Sequence, residues 1–279
     1  MSKEHTAVNK ARSRLLLSLV IAVDALALVS IALLATGRLL ERPLTLLVLL
    51  AMAAAVGARS IRIPRLGVRV VAADVFVLFA LVALTPAAAP LIALASMLGA
   101  AATTGDRFLS IKTAFNVGAV PLSMAAGAWA FVALGGVAGS TLPAVLPLLA
   151  AAVVYALINV PLTATAAHLG TGQSWSEICR QSVGLALVSN ITSALLGSSL
   201  LLVWSVVGPV GLALGLVPLA PLEQYIRLRA RRVEDGDVES AILRELGRLS
   251  PEECDAADVA YPETVVREDA PTLPDQRPL

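Results

Sequence analysis

The sequence predicts an all-α fold: a polytopic membrane helical bundle of about eight transmembrane helices with both termini in the cytoplasm. Three observations lead there. Of 279 residues, 57% are hydrophobic and only 15% are charged, whereas soluble domains carry about 25% charged residues. Apolar runs long enough to cross a bilayer recur along the chain, and the mean hydropathy is +0.82. Lys and Arg fall in alternate loops, as expected when cytoplasmic loops retain positive charge.

Eight apolar segments run near 14–36, 43–57, 69–85, 88–104, 113–135, 142–167, 181–206 and 208–226. The first follows a basic arm, residues 1–13, with Lys3, Lys10 and Arg12. It is too long for a secretory signal, and "LLATG" is a poor cleavage site, so it reads as an uncleaved span. The second is short. The third, from "RVVAADVFVLFALVAL", carries Asp74 in its first two turns. The fourth is short, led by proline and rich in alanine. Asn116 opens the fifth, and the sixth contains Tyr155 and Asn159 and ends at His168. Asn190 lies in the seventh, and Glu223 and Gln224 close the eighth.

The loops fix the orientation. Arg59, Arg62, Arg65 and Arg69 follow the second segment, Arg107 and Lys112 the fourth, Arg180 the sixth, and Arg227, Arg229, Arg231 and Arg232 the eighth. "TPAAAP", "GGVAGST" and "VVGPVG" are uncharged, and "GRLLERP" is the one charged outer loop. A multi-pass protein of the bacterial inner membrane is expected, N-terminus in and C-terminus in, with a bilayer-embedded domain over 14–232. Trp175 and Trp204 fall near the expected interfaces. The tail, 233–279, is a different material. It carries 4 basic against 13 acidic residues, while 1–232 carry 17 basic against 7 acidic. One short helix is expected there, with Val238, Ile242, Leu246 and Leu249 as its apolar stripe, and disorder beyond it.

Ionisable groups inside spans are the main functional handle. A central Asp costs about 2.5–3.5 kcal/mol on insertion scales and marks a functional site by default. Asp24 and Asp74 meet that description, with Asn116, Tyr155, Asn159, Asn190 and Glu223 as further candidate ligand-binding residues. Nearly all of this polarity is expected in the cytoplasmic half. Three stripes share faces: Asn116, Ala119, Ser123 and Gly127; Tyr155, Asn159 and Thr163; Asn190, Ser193 and Gly197. Such stripes of small and polar residues also serve as packing seams. Pro121, Pro161, Pro218 and Pro221 lie within spans and free the carbonyls of Val117, Leu157, Leu214 and Val217. No Lys or Arg is expected mid-span to neutralise Asp24 or Asp74, so their partners are amides, hydroxyls, a cation or a proton.

Other classes are excluded or unsupported. Cys179 and Cys254 form no CxxC pair or His/Cys cluster, so neither a metal site nor a disulfide framework is expected. No nucleophile–base motif, HExxH, P-loop or GxGxxG is present. A non-enzymatic protein without a cofactor is expected. The arginine clusters are accounted for by topology and anionic lipid, not by nucleic acid.

The succession "RIPRLGVRVVAADVFVLFALVALTPAAAPLIALASMLGA", "IKTAFNVGAVPLSMAAGA" and "LLAAAVVYALINVPLTATA" resembles the N-terminal membrane regions of bacterial signalling proteins. In those families the region precedes an HD-type phosphohydrolase or a GGDEF-type diguanylate cyclase. The resemblance spans roughly 10–230. It implies that Asp74, Phe115 with Asn116, and Tyr155 with Asn159 correspond to recurring positions. Here an acidic tail stands where the output domain would follow Arg232, which implies a sensor-like module acting through a separate cytoplasmic partner, or through self-association as a homo-oligomer. A transporter, or a substrate-binding transport subunit for a small solute or cation, is the competing expectation. An intramembrane enzyme acting on lipid ranks last.

Overall fold

The computed structural model describes residues 2–35, 41–59, 61–63, 68–70, 73–103, 110–137 and 144–208. Among these it is a helical bundle: α1 (Ser2–Leu34), α2 (Pro43–Gly57), α3 (Asp74–Ala83), α4 (Ala88–Thr103), α5 (Ile111–Ala133), α6 (Val145–Thr171) and α7 (Trp175–Val207), with one hairpin, β1 (Ile61–Ile63) and β2 (Val68–Val70), between α2 and α3. Four helices are long and apolar enough to cross a membrane: α1 over Ala11–Leu34, α5, α6 and α7. At 1.5 Å per residue they reach about 35–50 Å, against a hydrocarbon core of about 30 Å. Their outer faces carry apolar side chains such as Leu15, Ile21, Leu28, Leu146 and Val188, all exposed. This is a membrane protein built on transmembrane helices. The expected eighth segment beyond Gly208, the loop arginines from Arg62 to Arg69 as side chains, and the tail lie outside the described residues.

The third span differs from its expectation. The apolar run 69–85 is not one helix: Val68–Val70 is a strand, and the helix begins only at Asp74. The hairpin pairs Ile61 with Val70, Arg62 with Arg69 and Ile63 with Val68. Alternation in "IRI" and "VRV" around "PRLG" favours this local pairing over helix. Left with ten residues, α3 is about 15 Å long, half of what a crossing needs. Every residue from Val75 to Ala83 is buried, so α3 is sheathed by protein rather than lipid.

Charges at its ends suit the helix dipole. Asp74 stands in its first turn, and Arg42 Nη1 donates to the Ala83 carbonyl at its last turn (3.3 Å). Each such placement is worth about 0.3–1 kcal/mol, more when partly buried. Phe79 of α3 meets Trp204 of α7 edge-on, with ring centroids 5.7 Å apart. Gly197 of α7 lies against the same helix: a Cβ there would stand 3.3 Å from the Val75 carbonyl.

Small residues set the other close crossings. A Cβ on Gly57 of α2 would overlap the Ser96 carbonyl of α4, and a Cβ on Gly99 would overlap the Ala54 carbonyl. The contact is reciprocal, Ala54 and Gly57 against Ser96 and Gly99. Thr103 Oγ1 donates to the Ala58 carbonyl (2.9 Å), so α2 and α4 end together. Gly127 of α5 approaches the Ala151 carbonyl of α6. The core where these helices converge contains Phe76, Leu78, Phe79, Leu81, Met124, Phe131 and Leu148.

Helix ends follow ordinary chemistry. Ser110 caps α5, its hydroxyl accepting from the Thr113 N–H (3.2 Å). Gly172 closes α6 in the left-handed region at φ 79°, with its N–H on the His168 carbonyl. His168 donates from Nδ1 to the Gln173 carbonyl (2.6 Å), so this ring is tied into the turn. The seventh helix begins at Trp175, six residues before its expected start.

Candidate functional site

Hydroxyls within the apolar helices mostly satisfy themselves. Ser123 Oγ bonds to the Ala119 carbonyl (2.7 Å), Thr165 Oγ1 to Pro161 (2.8 Å) and Ser198 Oγ to Ala194 (2.9 Å). A side chain that can turn back on its own helix carries little cost in an apolar setting. Carboxylate and amide oxygens, which only accept, have no such escape. They are therefore the residues to follow.

Asp74 is the first residue of α3 and is partly buried. Tyr155 of α6 is 6% exposed, and its phenol is placed to hydrogen-bond to the Asp74 carboxylate. The pair joins the start of the sheathed helix to a long helix. The sequence expected Asp74 inside a span. It instead opens a helix, where the free N–H groups of the first turn favour an anion. Arg42, which precedes the first turn of α2, ties to the last turn of α3, and α3 is about 7 Å shorter than α2 by helical rise.

Asn159 follows Tyr155 by one turn on α6, and its Oδ1 is buried with no hydrogen-bond partner among the described residues. Asn190 and Ser193 of α7 are 4% and 7% exposed, and Gly197 continues that stripe against α3. Asp24, on α1, is elsewhere: it packs across Gly118 of α5, occupying the space a Cβ would fill, and among the described residues its Oδ1 is also buried without a partner. Asn116 sits in the second turn of α5, partly exposed. Glu223 lies outside the described residues. The structure thus brings Asp74 to Tyr155, and Asp24 to Gly118, as two separate contacts.

Gly118 and Arg42 were not singled out from sequence. A helical glycine gives no hint of which carboxylate needs its space, and Arg42 reads as an ordinary loop charge. Among the described residues no group of three or more His, Cys, Asp or Glu could hold a metal ion. No family model, curated protein or solved structure matches the chain.

Proposed function

We propose that this protein is a non-enzymatic, sensor-like membrane module that binds a small or lipophilic ligand among its helices, at the start of α3. The observation that carries the reading is the Asp74–Tyr155 pair at the start of a half-length, protein-sheathed helix. Asn190 and Ser193 of α7, both buried, extend the polar lining from there. A ligand with a hydrogen-bonding head and an apolar body suits this lining, because core side chains such as Phe76 and Phe79 lie on the same short helix. Binding would be reported through the end of the last helix to the acidic tail and a cytoplasmic partner. The Lys/Arg distribution supports a bacterial cytoplasmic membrane location with both termini inside.

One observation favours a second reading, a transporter or transport subunit. A buried helix of half the crossing length, with polar side chains at its N-terminus, is similar to the broken helices with which carriers hold substrate near the midplane. Two assays separate the readings. In a sensor, deleting residues 233–279 abolishes the cellular response while ligand binding persists, and proteoliposomes show no solute flux. Flux that Asp74→Asn abolishes would establish the transporter instead.

A further inference from the structure

Asp24 raises a question that the Asp74 site does not answer. It sits on a helix whose neighbours, α5 and α6, bring it no cation. Lys112 lies six residues before Gly118 at the exposed start of α5, Arg14 lies ten residues before Asp24 and is exposed, and His168 at the end of α6 is tied to Gln173.

Two helix registers place Asn159 beside it. Leu16 of α1 reaches Gly170 of α6, and Arg12 reaches Gly172. Eight residues along antiparallel α1 from Leu16 is Asp24, and eight back along α6 from Gly170 is Leu162, less than one turn from Asn159. Gly127 of α5 meets Ala151 of α6. Nine residues back from Gly127 is Gly118, and nine on from Ala151 is Val160. Both counts put Asp24, Gly118 and Asn159 in one layer. The facing agrees: Asn159 precedes Leu162 and Ala166 on one helical stripe, and those two pack against the cluster of Val20, Val23, Phe115 and Ala119.

The layer therefore holds two buried acceptor oxygens, Asp24 Oδ1 and Asn159 Oδ1, on different helices and both without a donor among the described residues. A third acceptor is adjacent. Pro121 lies inside α5 and has no N–H to give to the carbonyl of Val117, the residue before Gly118. Buried polar groups left unpaired are costly, and in hydrocarbon the cost is larger still. An all-oxygen set with one negative charge matches a hard monovalent cation. A divalent ion would leave an uncompensated charge in an apolar setting. In membrane carriers, backbone carbonyls released from helix hydrogen bonds coordinate such ions.

We propose that Asp24, Asn159 and the Val117 carbonyl hold a monovalent alkali cation between α1, α5 and α6, at a site separate from Asp74. The test is thermal unfolding of the full chain in lipid nanodiscs at pH 8 and constant ionic strength, exchanging choline chloride for sodium, potassium or lithium chloride. The proposal expects at least one alkali cation to raise Tm saturably, by about 5 °C at a hundredfold excess over its Kd. Asp24→Asn removes the response while the variant still unfolds cooperatively, and Asn159→Leu shifts the midpoint at least tenfold upward. Glu177→Gln, which deletes an exposed carboxylate, keeps the full response. Because Asp24→Asn could unfold the chain, sodium-23 NMR line broadening on wild type, reversed by excess lithium, is read alongside. Equal Tm in all four salts, a response that survives Asp24→Asn, or stabilisation by acid with no cation dependence would each overturn the proposal.

Discussion

Asp74 and Asp24 show two ways a carboxylate can be accommodated in an apolar bundle. Asp74 begins a helix and meets a phenol, so the backbone dipole and one hydroxyl share its charge. Asp24 lies mid-helix against a bare glycine. The consequences of mutation differ accordingly. Tyr155→Phe removes one buried hydrogen bond and should cost roughly 1–3 kcal/mol, readable as a drop in nanodisc Tm. Gly118→Val forces three carbons into space held by Asp24 and should cost roughly 1–3 kcal/mol or more, whereas Gly184→Ala, where nothing described lies within 4 Å of the added carbon, should be neutral or stabilising. Equal effects at the two glycines would contradict the packing described for α1 and α5.

At the scale of elements, α3 is the part on which the interior depends. Its nine buried residues from Val75 to Ala83 touch α4 on one side and α7 on the other. Arg42→Ala removes the donor at its C-terminal carbonyl and should lower stability by roughly 1 kcal/mol. Gly57→Leu or Gly99→Leu should separate α2 from α4, costing roughly 1–3 kcal/mol or more through overpacking; unfolding in nanodiscs reads each. Legibility followed punctuation. Segments 43–57 and 88–104 were readable almost to the residue because Pro43, Gly57, the "TPAAAP" turn and Thr103 bound them. The stretch 69–85 was not, because an apolar run does not announce where a Val-rich strand gives way to a helix. The information was present as alternation, in "IRIPRLGVRV", and was outweighed by the length of the apolar run. The start of α7 was also hidden, since "WSEICRQ" is too polar to read as part of a span. Of the site, the residue types were legible but not their pairing. Nothing in the spacing says that Tyr155 reaches Asp74, since their contact depends on α3 being short and starting at Asp74.

For the whole molecule, the ends of α1, α6 and α7 that meet around Arg12, Gly172 and Trp175 form one face, and the turn at Gly135 after α5 belongs to the opposite one. If the Lys/Arg bias sets orientation, the first face is cytoplasmic. Alkaline phosphatase fused after Gly135 should then be active in the periplasm and inactive when fused after Gly172. The reverse pattern would invert the topology and place the start of α3 toward the outside.

The central claim is that the start of α3 is a ligand site rather than a packing seam. The most direct measurement is thermal unfolding of the nanodisc-embedded protein against a panel of small metabolites and lipophilic compounds, with Asp74→Asn and Tyr155→Phe run beside wild type. The account predicts that at least one compound raises the Tm of wild type saturably, that the rise vanishes in Asp74→Asn, and that it shrinks in Tyr155→Phe while both variants stay folded. A panel without response, together with variants that merely unfold at lower temperature, would contradict it and leave Asp74 and Tyr155 as a structural hydrogen bond.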